Sequence, residues 1–421
     1  VKQPVGLKQG YRTPFVKVDK EFAKLNAINL SSALVDGMIS KLDFPVEFIQ
    51  HVIWGMVCPD ANIYSIAREL VLQSKLDNNV EAYSLSRACA TSLQTAANAV
   101  AFYNAFPEEH SVSLVGGVES FSNVKPVLTE EAGEYFKRLG KKGTLWEKIQ
   151  RAVDFPAAKL LPIPPSAREY STNLTMGEHC ELMVKEFKIS RERQDAFALA
   201  SHRNAALARE LIQPQIIPLQ GVSRDALIRE DTSMEAMSKL KPAFDIKAGT
   251  ITAGNASPYT DGAAGLYVIS PNLEEIVKAD AYMTDFEFVA VDPKTGLLMG
   301  PGKSILRILK RQNLRFEDFD YIDIHEAFAA EVLCNVDAIN NPEYRIKMYG
   351  VDYDPGYLDE KILNPWGSSI AYGHPFGATG ARMLSQAIAF LKHHNKTRAL
   401  VTACTAGATA GACVLERKVN S

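Results

Sequence analysis

The sequence predicts an α/β protein built from two duplicated halves, with one small domain inserted into the first half. Three observations carry this. Apolar runs of strand length alternate with segments at helical spacing. One stretch, Ile251-Thr252-Ala253-Gly254-Asn255-Ala256-Ser257 followed by Asp261-Gly262-Ala263-Ala264, resembles another, Val401-Thr402-Ala403-Cys404-Thr405-Ala406-Gly407 followed by Ala410-Gly411-Ala412-Cys413, as an internal repeat does. The third is spacing: Cys89 stands 165 residues before Gly254, whereas His374 stands 30 before Cys404, a surplus of 135 in the first half.

In chain order, residues 82–85 read as a strand, 91–106 as an Ala-rich helix and 110–115 as a second strand. The surplus falls at residues 123–244, which hold the proline-rich stretch 161–165 and a charged helix near 191–211. In the second half, 319–324 reads as a strand and 326–339 as a helix in which Phe328, Val332, Leu333 and Val336 recur at helical spacing. His325 occupies their junction. Another helix starts near Ala378, and each repeat copy reads as strand, tight turn, strand. The plan is therefore a first half at 1–122 and 245–272, an inserted domain at 123–244, and a second half at 273–421.

The chain has 421 residues, 47% hydrophobic and 23% charged, with a net charge of -3. That balance gives no reason to expect a nucleic-acid partner, because phosphate backbones are gripped by clustered Lys and Arg. Cys58, Cys89, Cys180, Cys334, Cys404 and Cys413 form neither a dense disulfide spacing nor a CxxC pair, so free thiols in a reducing compartment are expected. No apolar run approaches the roughly 20 residues that span a bilayer. The chain starts at Val1, as a processed or trimmed start would.

Four residues carry chemistry. Cys89 lies in Ser86-Arg87-Ala88-Cys89-Ala90-Thr91-Ser92, where a strand meets a helix. The positive end of the helix dipole there is expected to favour thiolate. His374, in Tyr372-Gly373-His374-Pro375-Phe376-Gly377-Ala378-Thr379-Gly380, opens a helix in the duplicate position and is placed to take the thiol proton. Cys404 stands where the first repeat has Gly254, and a second thiol can move a proton at the carbon beside a thioester carbonyl. His325, in His325-Glu326-Ala327-Phe328, follows a strand, where α/β sheets place their sites. Each has a blander reading alone: a buried structural cysteine, an exposed turn histidine, a helix-capping histidine.

Together these motifs resemble the thiolases along nearly the whole chain. Most thiolases carry Asn-Glu-Ala-Phe where this chain has His325-Glu326-Ala327-Phe328. The histidine is similar to the β subunit of the mitochondrial trifunctional protein and its bacterial fatty-acid-oxidation relatives, as are Pro162-Ile163-Pro164-Pro165, Glu169-Tyr170-Ser171-Thr172, Met176-Gly177-Glu178 and Leu297-Leu298-Met299-Gly300-Pro301. The resemblance implies the thiolase fold, duplicated βαβαβαββ halves in five αβαβα layers with an inserted loop domain. It implies 3-ketoacyl-CoA thiolysis, reversible as Claisen condensation: Cys89 is acylated, His374 activates it, and Cys404 is acid or base. The backbone N–H groups of Cys89 and Ala406 form one oxyanion hole, and His325 with His374 holds the enolate oxygen. Coenzyme A contacts map onto Met176, Arg229, Leu240, Ser257 and Phe328, while Ala236 replaces a serine common in the adenine-contacting helix.

The resemblance further implies coenzyme A and acyl-CoA as substrates, no permanently bound cofactor and no metal. It implies a homodimer or homotetramer, and admits a hydratase/dehydrogenase α subunit and peripheral membrane contact. The setting would be the mitochondrial matrix in a eukaryote and the cytoplasm in a bacterium. Residues 129–161 mix Lys137, Arg138, Lys141, Lys142, Lys148, Arg151 and Lys159 with Tyr135, Phe136, Leu145, Trp146, Ile149, Val153 and Phe155. This suits an interfacial segment or a solvated helical hairpin. Two rival functions are a ketosynthase-like condensing enzyme, which does not need Cys404, and a non-catalytic carrier that keeps the fold.

Overall fold

The computed structural model describes residues 3–153, 161, 163 and 167–418. Pro162, Pro164 and Pro165 of the proline-rich stretch, Phe155 and Lys159 lie outside the described residues, as do the side chains of Arg151 and Val153.

Among the described residues ten strands form: β1 (Val5–Arg12), β2 (Val16–Lys17), β3 (Ile49–Met56), β4 (Glu81–Leu85), β5 (Val112–Glu119), β6 (Thr260–Ile269), β7 (Ala281–Ala290), β8 (Tyr321–Ile324), β9 (Arg398–Thr405) and β10 (Thr409–Glu416). Strands buried on both faces read as continuous apolar or small runs rather than alternating ones. β5 and β6 are buried along their whole length. The sheet order is β4-β3-β5-β6-β1-β7-β10-β9-β8, with β2 added to β6.

This path reads alike from either end. β1 and β7 meet antiparallel in the middle. Outward lie β6 and β10, then β5 and β9, then β3 and β8, the last pairing parallel in both halves. The place of β4 is taken in the second half by a single parallel bridge, Ile322 to Leu363.

The helices Thr91–Ala105 and Phe376–His393 pack against each other, and the second touches strands of both halves. One apolar cluster joins these two helices to the facing strands. A second lies beneath the outer helices Ala27–Ile39 and Ile66–Leu72, and a third beneath Gly300–Gln312 and Ala329–Asn340. The two halves of the sheet path flank the central helices, giving helix, sheet, helix, sheet, helix, the five layers that the resemblance implied.

The chain leaves the sheet at Glu119 and rejoins it at Thr260. Between them it forms the helices Glu130–Leu139, Leu145–Val153, Met176–Phe187, Arg191–Ile212 and Met234–Ser238. The third and fourth of these lie on Ala329–Asn340 of the second half. Arg193 fixes the excursion there, donating to both oxygens of Asp337 at 2.7 and 2.8 Å and to Glu360 at 2.6 Å.

The repeat needs correction in its first copy. Residues 251–257 form turns and bridges, not a strand. Sheet register pairs Gly262 with Glu119 and Gly411 with Ala403. The counterpart of Ala403 is thus Glu119, and that of Cys404 is the position after it, not Gly254. Cys404 itself lies within β9, one residue before its end. Among the described residues no helix is long and apolar enough to cross a membrane.

Candidate active site

The site forms where the two central helices begin. Cys89 sits on a tight turn between β4 and the helix Thr91–Ala105. Thr91 Oγ1 accepts from the Arg87 N–H at 2.8 Å and donates to the Ala88 carbonyl at 2.7 Å. Ala88 is thereby held at φ 42, a left-handed conformation that costs a non-glycine residue about 1–3 kcal/mol and clusters at functional sites. His374 stands two residues before its helix, as Cys89 does before its own. Close packing brings them together: a Cβ on Gly380 would lie 2.5 Å from the Leu93 nitrogen, and Ser92 Oγ accepts from the Ala381 N–H at 2.8 Å.

His374 Nε2 lies 3.1 Å from Cys89 Sγ, and its Nδ1 lies 2.7 Å from Thr379 Oγ1. The His325 ring is 4.1 Å from that of His374, centroid to centroid. His325 follows β8, its N–H donating to the Thr402 carbonyl at 2.8 Å. Its Nδ1 is 2.8 Å from Ser369 Oγ, while Nε2 is buried without a partner. One ligand atom each of Cys89, His325 and His374 lies within 4.8 Å of the others, a donor set that would also accept a soft divalent cation.

Cys404 completes the cluster from β9, fully buried and against the Glu331 carboxyl. The backbone N–H groups of Ala406, in the β9–β10 turn, and of Cys89 itself point to Cys89 Sγ.

The electrostatics overturn one sequence expectation. Lost hydration pushes the Cys89 thiol up to about 12, against the two N–H groups that pull it down. Burial drives His374 well below the ordinary histidine value, with His325 and Arg382 adding to it. His325 falls to about 3, by burial first and Arg382 second. The resting pair is therefore neutral thiol and neutral imidazole rather than thiolate and imidazolium. A single helix terminus does not offset the dehydration of sulfur. Burial likewise raises Cys404 and Glu331, against a hydrogen bond from the Cys404 thiol that lowers Glu331.

Of the coenzyme A candidates, four lie along one strip. Ser257 donates from N and Oγ to the Ala327 carbonyl at 3.0 and 3.1 Å, and Phe328 bridges Ala256 and meets Phe244 edge-on. Phe244 also lies over Gly177, next to Met176, and Leu240 packs on Gly254. Arg229 is exposed beside the long helix, its N–H donating to His202 Nδ1 at 3.2 Å. Ala236 is exposed on the short helix Met234–Ser238.

Sequence reasoning did not single out Thr379, Ser369 or Glu331. The available signal for Glu331 was an acidic residue among Ala329, Ala330, Val332 and Leu333 in a helix that is otherwise core. Hydroxyls such as Thr379 and Ser369 give no such contrast.

A cysteine and histidine in contact, with two convergent N–H donors and a second thiol, on duplicated five-layer halves, define an acyl-transferring enzyme. Residues 5–272 match the thiolase N-terminal domain and residues 277–417 the thiolase C-terminal domain. A 3-ketoacyl-CoA thiolase of Escherichia coli O157:H7 (strain EC4115 / EHEC) is 36% identical over 98% of this chain and 96% of its own length. One from Shigella flexneri serotype 5b (strain 8401) is 35% identical over the same shares. The crystal structure of the Bacillus anthracis acetyl-CoA acetyltransferase superposes with a TM-score of 0.81 at 24% identity, covering 99% of this chain and 100% of that one. The chain belongs to the thiolase family.

Proposed function

We propose that this enzyme is a 3-ketoacyl-CoA thiolase that cleaves its substrate through an acyl-Cys89 intermediate. The observation that carries the reading is the 3.1 Å approach of His374 Nε2 to Cys89 Sγ, with the His325 ring 4.1 Å from that of His374 and Cys404 close enough to Cys89 to act on it electrostatically. Similarity to the 3-ketoacyl-CoA thiolases above supports the substrate class.

The steps follow from the groups. Cys89 gives its proton to His374 Nε2 as sulfur attacks the 3-keto carbon, and the oxyanion is met by the N–H groups of Cys89 and Ala406. The bond between carbons 2 and 3 breaks, its electron pair moving onto the thioester oxygen as an enolate that accepts from His325 and His374. Cys404 gives its proton to carbon 2, releasing acetyl-CoA. The incoming coenzyme A thiol then gives its proton to the Cys404 thiolate and attacks acyl-Cys89. Cys89 leaves and recovers its proton from His374. Cys404 distinguishes this from the ketosynthase-like reading, because proton transfer at carbon 2 needs it.

Met176, Leu240, Ser257 and Phe328 would hold the pantetheine and acyl chain, and Arg229 the phosphates. Coenzyme A acts here as substrate. A homodimer or homotetramer, a hydratase/dehydrogenase partner, and a matrix or cytoplasmic setting belong to the same reading. Peripheral membrane contact is supported by the hairpin of Glu130–Leu139 and Leu145–Val153. Tyr135 OH ties it with a bond to the Ala152 carbonyl at 3.2 Å, and Leu145, Trp146 and Ile149 stand exposed.

The test is coenzyme A-dependent cleavage of acetoacetyl-, 3-ketohexanoyl- and 3-ketohexadecanoyl-CoA, with mass spectrometry of the trapped acyl-enzyme. Cleavage of none of them, or an acyl group on a cysteine other than Cys89, refutes it.

A further inference from the structure

Two imidazoles face the same reacting atoms, yet their supports differ in one respect. Thr379 Oγ1, behind His374, makes no other side-chain hydrogen bond among the described residues, so its hydroxyl can donate to or accept from Nδ1. Ser369 Oγ, behind His325, is approached at 3.1 Å by Arg382 Nη2, which can only donate. That guanidinium is itself buried and held. It is 1% exposed, pairs with the fully buried Asp323 at 3.1 Å, and donates to Ser368 Oγ at 3.0 Å. Asp323 is held in turn by Ser368 Oγ at 2.8 Å and Tyr321 OH at 3.1 Å.

With Arg382 occupying one lone pair of Ser369, two arrangements remain. In the first, Ser369 donates its hydrogen to His325 Nδ1, and Nε2 carries the imidazole hydrogen. In the second, Nδ1–H donates to Ser369, whose own hydrogen has no acceptor within the described residues, so a second buried group is orphaned. Buried donors without partners are rare because they lose water and gain nothing. The first arrangement leaves His325 Nε2–H unpaired, beside an Arg382 Nε–H that is unpaired in both, and a ring nitrogen of His325 lies within 4.8 Å of the ligand atoms of Cys89 and His374.

We infer that Ser369, polarised by the buried Arg382–Asp323 pair, is a positioning residue that locks His325 in the Nε2–H form and so keeps it a permanent hydrogen-bond donor to the enolate oxygen. This rests on the proposed role of His325. The device divides the labour: His374 remains free to exchange its proton with Cys89, while His325 cannot drift into a form that presents a lone pair to an anionic oxygen.

The experiment uses the full-length enzyme labelled with 15N-histidine, with His325 assigned by the signal lost in His325→Asn. The wild type is expected to show hydrogen on Nε2. Ser369→Ala should mix the two forms and lower kcat about 10- to 100-fold, less than the roughly 100- to 1000-fold of removing an oxyanion donor outright, with KM little changed. Ser369→Thr should restore both. A wild-type signal with hydrogen on Nδ1 overturns the inference whether or not the variants fold. Unchanged kcat in Ser369→Ala, with a loss in His325→Ala, overturns it while leaving the proposed function standing. Unchanged kcat in His325→Ala removes the role of His325 and the inference together.

Discussion

Replacing Thr379 with valine keeps the volume of a fully buried side chain in the helix Phe376–His393 and removes one hydroxyl. That hydroxyl lies 2.7 Å from His374 Nδ1, and the other ring nitrogen lies 3.1 Å from Cys89 Sγ. For Nε2 to take the thiol proton, Nδ1 must carry its own hydrogen, and Thr379 Oγ1 is placed to accept it. Valine leaves that buried N–H unpaired, at a cost of about 1–3 kcal/mol. The cost falls mainly on the transition state, because the ring gains positive charge only as the proton arrives. At about 1.4 kcal/mol per tenfold, kcat/KM should drop about 5- to 150-fold. Thr379→Ser, which keeps the acceptor, should recover most of the loss. The assay is steady-state thiolysis of acetoacetyl-CoA, with the rate of Cys89 alkylation by iodoacetamide as a second readout. A Thr379→Val enzyme within twofold of wild type in both would show that His374 is oriented by packing alone.

Cys404→Ser should still transfer an acyl group onto Cys89 from a simple acyl-CoA but fail to exchange the α-protons of acetyl-CoA; exchange at the wild-type rate would remove Cys404 from the proton steps. His202 is buried and accepts from the Arg229 N–H, and burial, then Arg229, lowers it to about 4. The folded protein therefore binds that proton less readily than the unfolded chain does, and stability is lost as pH falls from about 6.5 towards 4. At about 1.36 kcal/mol per unit, His202 should account for about 3 kcal/mol, and a shift in urea midpoint between pH 7 and 4.5 no smaller in His202→Gln than in wild type would contradict this. Weak co-sedimentation with cardiolipin-containing vesicles is expected, weakening with salt as screening sets in over about 8 Å at physiological ionic strength, and abolished when Trp146, Lys148 and Ile149 are replaced together. A wild-type protein wholly in the supernatant at low salt would turn the hairpin towards a partner or lid role.

Much of this architecture was legible because it is periodic. Ala-rich and apolar spacing marked Thr91–Ala105 and the strand around residues 110–115, and the repeat set Cys89 and His374 each before a helix; the second helix starts at Phe376 rather than near Ala378, which makes the two offsets equal. The repeat misled at Gly254 because short glycine- and alanine-rich turns look alike in sequence whatever they join. Only hydrogen-bond register, Gly262 on Glu119 and Gly411 on Ala403, identifies the true counterparts. Ser369 and Thr379 were invisible for another reason. A hydroxyl carries no period and no charge, and its meaning depends on what lies across a contact of 44 residues in one case and five in the other.

The protonation of the nucleophile shows why a local signal and a packed site can disagree in sign. A helix start near Cys89 contributes a favourable dipole, and two N–H groups do point at the sulfur. Burial acts on the same thiol in the opposite direction and more strongly, while it also strips the proton affinity of His374. An ion pair at rest would place charge where the fold has excluded water. Neutral partners can instead exchange one proton at the moment a carbonyl carbon accepts the sulfur, when negative charge moves off the thiol and onto an oxygen. The N–H groups of Cys89 and Ala406 are then better used on that oxygen than on sulfur, since their stabilisation is realised in the transition state and not before it. On this argument a high resting thiol pKa is compatible with fast acylation, and it makes a specific demand. Iodoacetamide, which offers no oxyanion to those N–H groups, should alkylate Cys89 slowly at neutral pH relative to its rate of acylation by acyl-CoA. Alkylation as fast as acylation would mean that the thiolate is already present at rest.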